Sequence, residues 1–349
     1  MRSVRKTSRI VFVSILTLAL SALIAGPCFA DGPAMKIEPK GKKKITIGVI
    51  DPNAGIEAAA QFNKKHKAEA EKRGWDVRFV DLKDNIPQGP AAMENMISAG
   101  YDGIILHWMP LKTIDKQIKM AFDKGIPVIA LISQGTRIPG VLAEVGFMES
   151  THGAMLAEYL ANRLQAGDKI VTMTIPMLEK HEKQLAGFKG VAEAYNLQIV
   201  QNLQYQFTGD PMQWSYDQVS NILSGDSKKE IKGIYISTES LGTQAARAAH
   251  DRGRDDVIVV MSDDTAHVYA EMPKLPALQA VAAMSIHEKS MNEVIFGLFD
   301  KVFKGESVVS QRWYPVLGSL LTRDKLPPPG YSYDACAGYK ARKPDFAVK

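Results

Sequence analysis

The clearest pattern of apolar and polar positions runs over residues 100–132, GYDGIILHWMPLKTIDKQIKMAFDKGIPVIALI. Gly103-Ile104-Ile105-Leu106 is a short unbroken apolar run, as expected of a strand covered on both faces. His107-Trp108-Met109-Pro110 reads as a loop. From Leu111 the period changes. Ile114, Ile118, Ala121 and Phe122 fall at helical spacing, with Lys112, Asp115, Lys116 and Lys119 on the other face. Gly125 suits a helix C-cap, and residues 126–132 form the next strand, with Pro127 near its start. A strand, helix and strand of this kind predict a parallel pair with a right-handed crossover. Ligands on such sheets bind beyond the carboxyl ends of the strands. Topology alone therefore puts His107, Trp108, Ser133 and Gln134 at a binding edge.

The alternation extends in both directions. Residues 45–50 (ITIGVI) read as the first strand and Asp51-Pro52-Asn53-Ala54-Gly55 as a turn. A helix over 56–73 ends at Gly74. A strand over 75–80 and a helix over 90–98 follow, the latter ended by Gly100. Residues 45–132 thus form a β-α-β-α-β-α-β half. The pattern restarts with helices over 150–164, 183–195, 216–223 and 241–251, and strands over 169–175, 198–205, 233–236 and 257–261. Two such halves predict two lobes with a cleft between them. A strand over 278–284, a long amphipathic helix over 286–303 and an extended stretch over 312–321 exceed a complete second half. They are expected to carry the chain back between the lobes. Pro327-Pro328-Pro329 opens a tail expected to run over the surface.

The first thirty residues change the reading of charge. Arg2, Arg5, Lys6 and Arg9 form a basic region, residues 10–24 are apolar, and Cys28-Phe29-Ala30 is a small-x-small cleavage pattern. This is the form of a secretory signal, cut after Ala30. Its apolar core is shorter than the roughly 20 residues that a membrane span needs. Removing it takes away four positive charges and no negative ones, so the net charge of +5 falls to +1. The mature chain then has no electrostatic case for nucleic acid. Cys28 also goes, leaving Cys336 alone and ruling out an internal disulfide or a cysteine metal cluster. No His pair has metal-ligand spacing. The turn after the first strand lacks G-x-G-x-x-G, and no P-loop, G-x-S-x-G or H-E-x-x-H occurs. Neither an enzyme nor a cofactor is expected.

Four stretches together carry a family likeness: ITIGVI leading into a long helix; Ala99-Gly100-Tyr101-Asp102-Gly103-Ile104-Ile105-Leu106 before a loop, a helix and Gly-Ile-Pro-Val-Ile; Gly187-Phe188-Lys189-Gly190; and Thr238-Glu239-Ser240-Leu241-Gly242 before the strand that ends Met261-Ser262-Asp263. Over about residues 45–322 the chain resembles the type I periplasmic solute-binding proteins of ABC transporters, near the ribose- and galactose-binding group. The resemblance implies two doubly wound parallel-sheet lobes joined by three crossing strands, near 144–149, 282–286 and 312–317. It implies a division into a signal peptide (1–30), a linker (31–44), an N-terminal lobe (45–147 plus 285–314), a C-terminal lobe (148–284 plus 315–323) and a tail (324–349). It also implies a periplasmic monomer that closes by hinge motion on a small polar solute, sugar or sugar-like, and delivers it to a membrane permease with its ATPase. A sensing partner of a membrane receptor, or a binder of a non-sugar aromatic or amine solute, would share this fold.

Asp263 follows an apolar strand and keeps a ligand position of the family; a carboxylate there can accept hydrogen bonds from hydroxyls or pair with an amine. Trp108, Phe207 and Trp214 offer flat faces to a ring or a cation. Asn53, His107, Ser133, Glu182 and Thr238 complete the expected ligand set. Other family positions differ. Ala58-Ala59-Ala60 stands where sugar binders carry aromatics, and Met284 replaces a Gln at the last hinge.

Overall fold

The computed structural model describes residues 34–325 apart from 40, 42–43, 134–137, 177, 207–208, 284–287, 311 and 317. The expected signal, Phe207, Gln134, Met284, Cys336, the tail beyond 325 and most of the second crossing lie outside the described residues.

Two six-stranded sheets organise the chain. The first holds β2 (Thr46–Asp51), β3 (Asp76–Asp81), β4 (Gly103–His107), β5 (Val128–Leu131), β6 (Val141–Phe147) and, from far along the chain, β13 (Arg312–Val316). Its order is β13-β6-β5-β4-β2-β3, parallel throughout. The second holds β7 (Lys169–Thr174), β8 (Gln198–Gln204), β9 (Ile231–Ile236), β10 (Ile258–Ser262), β11 (Leu278–Ala283) and β14 (Ser319–Thr322), in the order β14-β11-β10-β9-β7-β8. Only β14 runs antiparallel. Central strands such as β4 are buried at every position, while the edge strands β3 and β8 are half-exposed. That difference is why the apolar runs stand out in the sequence.

Helices cover both faces. In the first lobe these are α1 (Glu57–Glu71), α2 (Gly89–Ser98) and α3 (Asp115–Asp123). Gly74, Gly100 and Gly125 follow these three helices at positive φ, where a residue without Cβ is unstrained. In the second lobe they are α4 (Glu149–Ala161), α5 (Glu179–Ala194), α6 (Pro211–Gly225), α7 (Glu239–Asp251) and α8 (Ala266–Glu271). The last long helix, α9 (Glu288–Phe303), returns to the first lobe, where Met291, Ile295, Phe296 and Phe299 join a core with Ile47, Phe62 and Ile105.

The chain passes from sheet to sheet at Met148, between β11 and α9, and between β13 and β14. The lobe boundary expected after residue 314 falls inside β13, which continues to Val316. Gly318 in the third passage lies over His152, so close that a Cβ there would fall 1.8 Å from Nε2. Part of the stretch expected as a linker pairs with the first lobe. Ala34–Met35 (β1) pairs antiparallel with Val308–Val309 (β12), and Met35 is buried in the first lobe's core. Two apolar side chains, Met35 and Ile37, anchor a segment whose composition otherwise reads as solvated.

α4 and α5 pack backbone to backbone. A Cβ on Gly153 would lie 1.8 Å from the Gln184 carbonyl oxygen, and one on Gly187 would lie 1.9 Å from that of Ser150. Across the cleft the lobes touch: the Ala266 backbone N–H, at the start of α8, donates to Glu57 Oε1 at the start of α1 (3.2 Å).

Candidate functional site

In each sheet the strand order reverses about a central pair, β2/β4 in one and β7/β9 in the other. The crevice of a doubly wound sheet opens at the carboxyl ends of such a pair. Three non-glycine residues with left-handed backbone stand just beyond strand ends on this edge: Trp108 (φ 45°) after β4, Ile132 (φ 53°) after β5 and Asp263 (φ 69°) after β10. A β-branched residue such as Ile132 rarely adopts this conformation, and each instance costs about 1–3 kcal/mol. All three are held there by a ladder bond from the neighbouring strand: Trp108 N–H to Leu131 O (3.0 Å), Ile132 N–H to Val145 O (2.8 Å) and Asp263 N–H to Ala282 O (2.9 Å). Strain held in this way clusters at functional sites.

The second lobe's edge is a buried ionic cluster. Lys180, in the first turn of α5, donates from Nζ to Asp263 Oδ2 at 2.6 Å. Asp263 Oδ1 has no hydrogen-bond partner among the described residues, although the residue is only 4% exposed. Burial, helped by Glu239 and Glu149 and only partly opposed by Lys180, pushes the Asp263 carboxyl up to about 7. Burial also works against the charge on Lys180, but Asp263 and Glu149 outweigh it and hold the ammonium above its usual range. Glu149, at the first crossing, accepts from Gln184 Nε2 at 2.5 Å and has His152 Nδ1 at 3.4 Å from the same oxygen. Burial disfavours its charge, yet His152, Lys180 and Gln184 together hold it below the usual carboxylate range. Glu149 Oε1, Gln184 Oε1 and Ser237 Oγ also have no partner among the described residues. His181 donates from Nδ1 to the Ser237 carbonyl at 3.0 Å; burial and the charge of Lys180 bring it down to about 3, so the ring is neutral.

A carboxyl raised by folding favours the folded state at low pH. Its contribution is complete below the unfolded value near 3.8 and is lost as pH rises through about 7. Asp263→Asn is therefore expected to flatten the fall in unfolding midpoint between pH 5 and pH 8. Equal slopes for the two proteins in thermal scans across that range would contradict the assignment.

The expected ligand residues divide. Asp263, Trp108, Ser133 and Thr238 stand on the cleft edge. Trp108 is half-buried with its indole edge-on to Phe62 (5.8 Å), and Ser133 Oγ has no partner among the described residues. Thr238 donates to Glu239 Oε2 at 2.7 Å at the start of α7. Asn53 lies in the first turn but is engaged locally, donating from Nδ2 to Asp84 Oδ2 at 2.8 Å and accepting from Gly55 N–H at 2.9 Å.

Three of the expected ligand residues are engaged elsewhere. His107 is turned to partners inside the first lobe. It is fully buried beneath the sheet edge, 2.8 Å from His66 Nε2 and 3.2 Å from Asp51 Oδ2. Glu182 faces solvent, because α5 turns Lys180, His181, Gln184 and Phe188 inward. Trp214 packs against Tyr205 (5.3 Å) and the second lobe's core. The residues the sequence reading missed are Lys180, Glu149 and Gln184. The run Glu179-Lys180-His181-Glu182-Lys183 reads as a solvated approach to a helix, and only its place at a β7/β9 strand end marks it as a site. Among the described residues no cluster of three or more His, Cys, Asp or Glu side chains could hold a metal ion. Two surface hollows, beside α2 and between α6 and α7, contain none of these residues.

Residues 47–283 match the model of the periplasmic binding protein domain. The ribose import binding protein of Bacillus subtilis is 24% identical over 248 residues, covering 70% of this chain and 78% of that protein. The xylitol-binding protein of Mycolicibacterium smegmatis is 22% identical over 264 residues, covering 74% and 70%. Among solved structures, an ABC transporter solute-binding protein from Bacillus halodurans with bound myo-inositol superposes with a TM-score of 0.72 at 22% identity, covering 82% of this chain and 97% of that one.

Proposed function

The chain belongs to the periplasmic binding protein family, and on that premise we propose that it captures a small hydroxyl-rich solute, a sugar or polyol, for an ABC importer. Its relatives are solute-binding proteins of transporters, not enzymes. The observation that carries the reading is the row of buried acceptor atoms at the second lobe's edge, Asp263 Oδ1, Glu149 Oε1 and Gln184 Oε1, which have no partner among the described residues. The hydroxyl groups of such a solute supply donors to acceptors of this kind, and a buried acceptor left unmet costs about 1–3 kcal/mol. Trp108, held at the opposite edge, offers an apolar face to the carbon side of a ring.

In this reading the first lobe spans 45–147 plus the return through α9 and β13, and the second spans 148–284 plus β14. The three passages act as the hinge, and the Glu57–Ala266 contact closes the mouth. The monomer delivers its solute to a membrane permease and ATPase. Export requires the signal to be cut after Ala30, so the protein purified from its native host is expected to begin at Asp31. N-terminal mass spectrometry that finds Met1 retained would overturn the export reading.

A thermal-shift screen over pentoses, hexoses, inositols and linear polyols tests the function. A solute at 100 times its dissociation constant adds about 2.7 kcal/mol to the folded state. A shift for aromatic acids or amines, with none for any polyol, would replace the solute class.

A further inference from the structure

Below the first lobe's cleft edge lies a string of four polar side chains, each at most 1% exposed: Asn292, His66, His107 and Asp51. They come from α9, α1, β4 and β2. Asn292 Oδ1 is 2.6 Å from His66 Nδ1; His66 Nε2 is 2.8 Å from His107 Nε2; His107 Nδ1 is 3.2 Å from Asp51 Oδ2. Phe62, Trp108 and Phe296 pack around the two rings.

The string has a polarity. A carbonyl oxygen accepts, so His66 donates to Asn292 from Nδ1. A neutral His66 then has a bare Nε2, which must accept from His107 Nε2–H. On the far side His107 Nδ1 faces a carboxylate, which only accepts, and a bare ring nitrogen there would repel it. Asp51 already accepts from the Asn53 backbone N–H (3.1 Å) and from Asn63 Nδ2 (3.0 Å). Burial, with His107 beside it, holds His66 well below its usual range, which keeps it the neutral partner.

We infer that His107 is a positioning residue carrying a proton on both ring nitrogens, a buried imidazolium that ties the Asp51–Gly55 turn to the Trp108 backbone kink. At one end of the string, Asp51 pins Asn53, whose side chain in turn caps Gly55. At the other, the imidazolium ring abuts the Trp108 indole, with centroids 5.0 Å apart at 83°. The cleft-edge loops after β2 and β4 are thereby fixed to α9, the helix that follows the second passage between lobes. Turning the Asn292 amide over would reverse the Asn292–His66 and His66–His107 bonds and leave His107 neutral, still donating from Nδ1 to Asp51, so the two arrangements differ by one proton.

Nitrogen-15 histidine spectra of the mature protein distinguish them without any solute. The expected result is His107 protonated at both nitrogens and His66 with a bare Nε2. A neutral His107 accepting from His66 would overturn the assignment. The positioning role is read from 5-fluorotryptophan resonances, with Trp108 assigned by Trp108→Phe. Asn292→Leu is expected to displace the Trp108 resonance while Trp214 and Trp313 stay in place. Asn292→Asp, which keeps an acceptor, is expected to leave the Trp108, Trp214 and Trp313 resonances, three of the four tryptophans, unmoved. A Trp108 resonance that ignores Asn292→Leu, or that moves with Asn292→Asp as well, would also overturn it.

Discussion

Gly187→Ala is expected to lower the unfolding midpoint by about 6–12 °C. The new methyl would stand 1.9 Å from the Ser150 carbonyl oxygen and 2.7 Å from its carbon. Neither atom belongs to a flexible side chain, so α4 and α5 must move apart as bodies. Overpacking typically costs about 1–3 kcal/mol and occasionally more, and a rigid backbone neighbour places this case at or above the upper end. For a domain of this size each kcal/mol is worth about 2–4 °C. The displacement reaches the site, because Lys180 and Gln184 lie on α5 and Glu149 opens α4. Gly190→Ala is the control. It lies in the same helix, and its Cβ would meet nothing within 4 Å. That substitution is expected to be neutral or to stabilise by up to about 1 kcal/mol, since Ala is the better helix former. Thermal scans in which the two variants behave alike would refute the close-packing account of this glycine.

Asp263→Ala is expected to weaken solute binding at least ten- to a hundredfold. The unpartnered Oδ1 would accept a charge-assisted hydrogen bond worth about 1.5–3 kcal/mol, and 1.4 kcal/mol is tenfold in affinity. The substitution also strips Lys180 of its nearest counter-ion, so the midpoint without solute has to be measured alongside. Asp263→Asn keeps an acceptor and loses the charge; it should weaken binding of a neutral polyol less than binding of an amine. Calorimetric titration showing wild-type affinity in a folded Asp263→Ala protein would remove this residue from the site.

Strands were legible in the sequence where both faces are covered. Residues 103–106 and 233–236 are unbroken apolar runs because helices pack on each side of them. β6 was not legible as a strand, since Glu144 and Gly146 break its run, and its burial comes from β5, β13 and α9. α8 spans six residues, too few to display a period. For the site, topology located the edge but not the direction of each side chain. His107 shares the parity of Ile105, which points into the layer beneath α1 and α9, so it follows Ile105 inward. Lys180 was hidden by its neighbours, because four charged or titratable residues around it look like a wet surface. Asp263 was picked out by the family likeness, which puts a ligand acceptor directly after this buried strand, where a helix cap or a turn would use the same residue type.

The central claim is that two lobes close on a solute between Asp263 and Trp108. Small-angle scattering of the mature protein, stripped of bound solute by unfolding and refolding and then titrated with the sugar or polyol that gives the largest thermal shift, tests this most directly. The account predicts an open form without solute and a fall in radius of gyration that saturates at one solute per chain, to the profile of the structure in which Glu57 meets Ala266. A radius that does not change at saturating solute would contradict it.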